Sequence, residues 1–259
     1  FSNSFLNTTG GVISVGSKLI VADQGNSRVL IYNTIPSSNG ASADVVIGQS
    51  LFTTSTINNG GISAQSLQRP ASVYSDGTKL FVVDRSNNRV LIFNSIPTSN
   101  FATADVVIGQ AGFTTSGANQ GGIGANTLSG PTYAYSDGTK LYISDSGNYR
   151  VLIYNTVPTS NGASANIVLG QSNFTNNSAN QGGSAAANTL SSPQGIYSDG
   201  TKLYIADSGN SRVLIYNTVP TSSNTSADSV IGQKNFTSSS ANQGGSVGAG
   251  TLNGPNGIY

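Results

Sequence analysis

The chain has 259 residues, 36% of them hydrophobic and only 8% charged, with a net charge of +1, so it has the apolar material for a core and is no disordered polyampholyte. Cysteine and histidine are both absent, which excludes disulfides, zinc knuckles, thiol nucleophiles and histidine-based triads or metal sites. No Lys/Arg cluster offers a footprint to a polyanion, and no apolar run approaches the ~20 residues that span a bilayer; neither nucleic-acid binding nor membrane insertion is expected.

The acidic residues are all aspartate. Poverty in Glu, Lys, Met and Leu beside an abundance of Val, Ile, Thr, Ser, Asn and Gly leaves little for helices and points to an all-β chain. A strong repeat organises it. "KLIVADQGNSRVLIYN" from Lys18 returns as "KLFVVDRSNNRVLIFN" from Lys79, "KLYISDSGNYRVLIYN" from Lys140 and "KLYIADSGNSRVLIYN" from Lys202. Periods of tens of residues mark propellers, solenoids or arrays.

Within one period, "GIYSD" at 195–199, "KLYIAD" at 202–207, "RVLIYN" at 212–217 and "ADSVIGQ" at 227–233 are β-branched or aromatic runs parted by turn residues, hence four strands. "SDGTK" joins the first two, and its Asp-Gly is expected to supply the positive φ angles of a tight hairpin; in the first repeat Val15-Gly16 stands there instead. "DSGNSR" joins the second and third through local Asx bonds. Tandem four-stranded meanders are propeller blades. The division expected is a single repeat domain over 1–259: a lead-in at 1–10, blades at 11–70, 71–131, 132–193 and 194–254, and the first strand of a further blade at 255–259.

The motif "P-x-G-I-Y-x-D-G-x-x-L-Y-I-A-D-S-G-N-x-R-V-x-I-Y", complete from Pro193 to Tyr216, resembles the NHL repeat family. Its Asp-x-x-Asn-x-Arg-Val core stands as Asp23/Asn26/Arg28, Asp84/Asn87/Arg89, Asp145/Asn148/Arg150 and Asp207/Asn210/Arg212. That family's blades are usually shorter than these periods, and the surplus lies in the link from each fourth strand to the next blade. Each link carries a phenylalanine (Phe52, Phe113, Phe174, Phe236), a glycine pair (Gly60-Gly61, Gly121-Gly122, Gly182-Gly183, Gly244-Gly245) and a closing leucine. About twenty residues without evident secondary structure exceeds the ~12–15 usual for loops. The returning Phe and Leu predict an ordered link with a small core of its own, on the face that also carries the Asp-x-x-Asn-x-Arg turn. That face is the candidate contact surface.

All charged residues except Arg69, Arg85 and Lys234 sit at recurring positions, which suits scaffolding better than a unique active centre. The Asp and Arg of each core are expected to fasten the turn or reach the next blade. Calcium is the weaker reading of those oxygens, because an arginine two residues beyond Asn opposes a cation; no cofactor is expected. Asp76, Asp137 and Asp199 read as hairpin residues, and Asp44, Asp105 and Asp228, replaced by Asn166 in the third repeat, as strand starters. Tyr74, Tyr135 and Tyr197 fall on the innermost strand, for packing or tunnel lining. "NQGG" lacks the Gly-Lys-Ser/Thr of a phosphate loop.

NHL-type and related propellers include lyases dependent on histidine and metal, and lactone hydrolases with a calcium held by Glu, Asn and Asp; histidine and glutamate are missing here, so no enzymatic activity is expected. The resemblance also covers RNA-binding members with a basic face, which this chain lacks. The chain does not begin with Met, which fits a removed secretory signal or a piece of something longer. Further blades, open edges that pair with another copy, and a closed four-bladed ring all remain open. Low charge, abundant Ser/Thr/Asn and no oxidisable side chain suggest an extracellular or cell-surface protein, with sequons at Asn7, Asn173, Asn176, Asn224 and Asn235. The first expectation is a non-enzymatic scaffold or filament-building protein whose partners are its own copies or another protein; the alternative is a module binding carbohydrate or peptide through its long links.

Overall fold

A computed structural model describes residues 9–259; Asn7 and most of the lead-in lie outside the described residues. The fold is all-β and of the propeller class: four four-stranded antiparallel sheets, each in sequential strand order, with no α-helix among the described residues. Blade 1 comprises β1 (Thr9–Val15), β2 (Lys18–Asp23), β3 (Arg28–Tyr32) and β4 (Val45–Ile47). Blade 2 comprises β5 (Ser72–Ser75), β6 (Leu80–Asp84), β7 (Arg89–Phe93) and β8 (Val106–Ile108). Blade 3 comprises β9 (Tyr133–Ser136), β10 (Leu141–Asp145), β11 (Arg150–Tyr154) and β12 (Ile167–Leu169). Blade 4 comprises β13 (Pro193–Ser198), β14 (Leu203–Asp207), β15 (Arg212–Tyr216) and β16 (Ser229–Ile231).

The described residues form two compact units, one running to residue 120 and including 158–163, the other of 121–157 with 164–259. In the first unit, β2, β3, β6 and β7 are apolar on both faces, because a blade is covered by packing on each side. Ile20, Val29, Ile31, Val45, Leu67, Val82, Leu91 and Phe93 form one buried cluster there, and Val21, Leu30, Tyr32 and Val46 another. The Gly11 N–H donates to the Ala71 carbonyl at 3.0 Å. A Cβ at Gly10 would stand 2.4 Å from that same oxygen, so the two blades approach closely only with glycine there.

In the second unit, tyrosines line the blade contact. Tyr135 and Tyr197 meet edge to face at 5.6 Å, and the Tyr135 hydroxyl donates to the Ser198 carbonyl at 2.6 Å. Residues 256–259 form no ladder, but the Asn256 carbonyl accepts from the Gly195 N–H at 2.8 Å, the counterpart of the Gly11–Ala71 bond.

The hairpins differ from expectation in how they turn. Positive φ occurs at Gly77, Gly138 and Gly200 but not at the aspartates before them. Those aspartates act through their side chains: Asp76 Oδ1 accepts the N–H groups of Thr78 and Lys79 at 2.9 and 2.8 Å, an Asx turn. The links are ordered, and three contain a short 3₁₀ turn, at Ile57–Gly60, Ala179–Gly182 and Ala241–Gly244. The leucines Leu67, Leu190 and Leu252 pack beneath Gly48, Gly170 and Gly232, the glycines that follow the fourth strand. A Cβ on Gly48, whose φ is +88°, would stand 2.6 Å from Leu67 Cδ1.

Candidate functional site

Pairing β2 with β3 in register sets Asp23 opposite Arg28, and the same register sets Asp84 opposite Arg89, Asp145 opposite Arg150 and Asp207 opposite Arg212. Each arginine Nε donates to its aspartate Oδ2 at 2.7 to 2.8 Å, with both side chains 0% exposed. Asn26, Asn87, Asn148 and Asn210, also buried, donate to the same carboxylate oxygens. The other carboxylate oxygen accepts a backbone N–H from the incoming link, Gln68 for Asp84, Ser129 for Asp145 and Ser191 for Asp207.

The guanidinium fork then holds both links. Arg89 Nη1 donates to the Phe113 carbonyl of the outgoing link at 2.7 Å, and its Nη2 to the Ser63 and Ser66 carbonyls of the incoming one at 3.0 and 2.8 Å. Arg150 repeats this with Phe174, Gly124 and Thr127, and Arg212 with Phe236, Ala186 and Thr189. Arg28 Nη1 reaches the Phe52 carbonyl. Burial pushes the Asp84, Asp145 and Asp207 carboxyls up from their ordinary value, against the pull of the arginine and the hydrogen bonds.

The links add their own fastening. Asn58 exchanges two carboxamide hydrogen bonds with Asn87, and Asn180 does the same with Asn210. The phenylalanines contribute their carbonyls to the arginines and pack their rings only partly: Phe52 lies against the Val21/Leu30/Tyr32 cluster and Phe113 against the larger core of its unit. Phe174 and Phe236 are half-buried, while Gly121, Gly122, Gly182, Gly183, Gly244 and Gly245 are exposed.

Three recurring features escaped the sequence reading of the site. Gln49, Gln110, Gln171 and Gln233 close the "IGQ" of each copy, "LGQ" in the third; each buried carboxamide donates to carbonyls of the turn and the link, as Gln49 does to Ser27 and Thr56 at 3.1 and 2.8 Å. Their Oε1 atoms have no hydrogen-bond partner. Asp44, Asp105, Asn166 and Asp228 each accept a backbone N–H eleven residues back, which explains why Asn serves as well as Asp. Finally, the loop before each fourth strand caps the outer strand of the blade before it. Asn100 Oδ1 accepts from the Val46 N–H at 3.0 Å and the Phe101 N–H donates to the Val46 carbonyl at 2.8 Å. Asn161 and Gly162 treat Val107 alike, as Ser223 and Asn224 treat Val168. The common signal for all three was recurrence at the repeat period.

On the third link a recess of about 250 Å³ is lined by Gln171, Thr175, Asn176, Asn177, Ser178 and Gln181. Its walls are neutral and hydrogen-bonding. Among the described residues no three of His, Cys, Asp and Glu come together, and no helix is long and apolar enough to cross a membrane.

No protein-family description matches the chain, and no curated protein does. It is similar in structure to a putative 6-phosphogluconolactonase from Bacteroides fragilis, at 13% identity and a TM-score of 0.49, covering 87% of this chain and 57% of that one. It is similar to a chain of a nidogen/laminin complex at 14% identity and 0.44, covering 82% and 60%, and to virginiamycin B lyase from Staphylococcus aureus at 8% identity and 0.42, covering 82% and 56%. The chain thus spans less than two thirds of the length of each. Two of these three propellers bear enzyme names, which corrects the expectation of a chain without enzymatic activity. That expectation came from missing residue types, and an architecture that also carries enzymes gives such absences no deciding weight. The fold itself rests on the four sequential four-stranded sheets, which are those of a β-propeller.

Proposed function

We propose that this chain is a scaffold of the extracellular or cell-surface space, an NHL-like propeller that assembles with copies of itself. The observation that carries this reading is the fourfold Asp–Asn–Arg network. The charged constellation that every repeat preserves lies fully buried, and in blades 2 to 4 its arginine is held by the links on either side. Its chemistry is that of joining one blade to the next, and a repeat that carries its own joint suits extension by further copies. The low charge and the lack of cysteine and methionine support a place outside the cell.

Light scattering after size exclusion over a hundredfold range of concentration, with negative-stain microscopy of the same fractions, tests the reading. Mass should rise with concentration and regular assemblies should be visible. A single monomer mass throughout would overturn it.

The recess at Gln171 favours a second reading, a site for a neutral, hydroxyl-rich ligand such as a carbohydrate. Thr175, Asn176, Asn177 and Ser178 line it with groups that can exchange hydrogen bonds with hydroxyls. Screening against a panel of neutral glycans, with the exposed Asn177→Ala as comparison, tests it: no glycan bound at millimolar concentration removes the reading.

A further inference from the structure

Four Asn-x-Ser/Thr sequons lie wholly within the described residues, Asn173-Phe174-Thr175, Asn176-Asn177-Ser178, Asn224-Thr225-Ser226 and Asn235-Phe236-Thr237, and the fold treats them in two ways. Asn173 and Asn235 hold the same place, directly before the Phe-Thr of the third and fourth links, and both are exposed together with their threonines. The Asn173 Oδ1 accepts the N–H and the hydroxyl of Thr175, each at 2.9 Å. The Asn235 Oδ1 accepts the same two groups of Thr237 at 3.1 and 2.9 Å. Each is an Asx turn that sets the hydroxyl of the motif against its own carboxamide. Between them the Phe174 and Phe236 carbonyls are taken by Arg150 and Arg212, so the middle of each sequon is tied down while both ends face water. Among the described residues neither asparagine uses its Nδ2 in a hydrogen bond.

The other two sequons are engaged elsewhere. Asn176 Nδ2 donates to Ser172 Oγ at 2.7 Å. Asn224 is half-buried: its Oδ1 accepts from Gln181 Nε2 and Asn188 Nδ2 at 2.8 and 3.1 Å, and its N–H donates to the Val168 carbonyl. Nor does the turn at Asn173 and Asn235 need asparagine. Leu51 and Gly112 stand in that place in the first two links, where the Thr54 and Thr115 hydroxyls donate to their backbone carbonyls at 2.9 and 3.1 Å. Leu51 is 59% exposed, so in a third link too the place faces outward.

We propose that Asn173 and Asn235 are glycan acceptors and that Asn176 and Asn224 are not. The donor class is a glycan carried on a lipid phosphate or pyrophosphate. The asparagine Nδ2 bonds to the anomeric carbon, the bond from that carbon to the phosphate oxygen breaks, the lipid phosphate leaves with the electron pair, and a base of the transferase takes the amide proton. An Asx turn spans two residues and needs no tertiary partner, so the hydroxyl is in place before the blades fold, and the folded link then leaves the attached sugar in water. Asn176, with its Nδ2 on Ser172, fails the first condition, and Asn224 the second. A glycan is bulky and hydrated; on Asn173 it begins beside Thr175, which also lines the recess of this link. This rests on the extracellular reading above, because sequons are used in secreted chains.

Native protein recovered from its source is digested, and electron-transfer fragmentation, which keeps a glycan on its residue, reads the occupancy of each asparagine by mass. Sugar on Asn173 and Asn235, with Asn176 and Asn224 bare, is the expected pattern. Asn173→Gln and Asn235→Gln, expressed in the same source, should each remove the mass of one glycan and leave the circular dichroism of the fold unchanged. Bare Asn173 and Asn235 on protein recovered outside the cell would overturn the inference and leave the extracellular reading standing. Bare protein found only inside the cell would remove both. Equal occupancy of all four would also overturn it, because the motif alone would then decide.

Discussion

Asn58 and Asn87 face one another across 29 residues of chain and exchange two hydrogen bonds, 3.2 Å in one direction and 2.7 Å in the other. Asn87 also donates to Asp84, so the link before blade 2 is tied through one carboxamide to the blade's buried ion pair. Asn58→Ala should cost about 1–3 kcal/mol, the penalty of leaving buried polar atoms of Asn87 unsatisfied. In a double-mutant cycle with Asn87→Ala, the second change should cost less once the first is made. Urea denaturation of the four species measures the coupling; additive costs would show that the pair does not act as one.

Arg89 makes four described hydrogen bonds, one to the Asp84 carboxylate and three to link carbonyls. Arg89→Met should destabilise by about 3–5 kcal/mol, because it leaves Asp84 buried without its cation. Arg89→Lys keeps the charge and loses the fork, so it should recover only part of that loss. Full recovery by lysine in thermal denaturation would mean that charge alone matters there.

Tyr154 and Tyr216 are buried with hydroxyls that have no partner, and the equivalent position in blade 2 is Phe93. Tyr154→Phe and Tyr216→Phe should therefore be neutral or slightly stabilising, within about 1 kcal/mol. Burial raises both phenols above the ordinary 10.0, with the neighbouring aspartate adding to the effect. A raised folded pKa gives stability that is whole below the unfolded pKa and is lost as pH climbs through the folded value. Phenolate absorbance should show these two rings ionising above the bulk of the tyrosines, and only with unfolding. Titration near 10 in the intact fold would contradict their burial.

At the exposed hairpin of blade 4, the N–H groups of Lys202 and Thr201 hold the Asp199 carboxyl below its ordinary value of 3.8. The folded pKa lies under the unfolded one, so its contribution is present above the unfolded pKa and fades as pH falls through the folded value. Asp199→Asn keeps the acceptor oxygen and should flatten the acid limb of the melting temperature, while Asp199→Ala should lower the plateau. Carbon-detected titration of the carboxyl gives the folded value directly, and one at or above 3.8 would contradict the turn geometry.

The strands and the buried pair were legible because both follow from local pattern. The "VLIY" after each arginine, "VLIF" in blade 2, is apolar throughout, and Asp and Arg at i and i+5 face each other in the antiparallel register that a four-residue turn sets. The Asx turn at Asp76 was misassigned to backbone φ because Asp-Gly fits both, and only Gly77 takes the positive angle. The loop caps on the outer strands were illegible for a different reason. Asn39, Asn100 and Asn161 sit in loops where Asn, Ser and Thr are common everywhere, and their partners lie a whole blade away. Gln49 and its equivalents were quoted as part of a strand ending, and nothing in a strand's alternation says that a carboxamide turns inward to meet the next link.

The Val46 N–H waits for Asn100, 54 residues later in the chain, and Val107 waits as long for Asn161. Synthesis at about 5–20 residues per second makes that roughly 3–11 s for each blade. During elongation every new blade therefore emerges with its outer edge bare, and the segment that covers it belongs to the blade not yet made. Until that segment is made, the Val46 and Val107 backbone groups have only water to bond, so each blade completes its predecessor's edge as it forms.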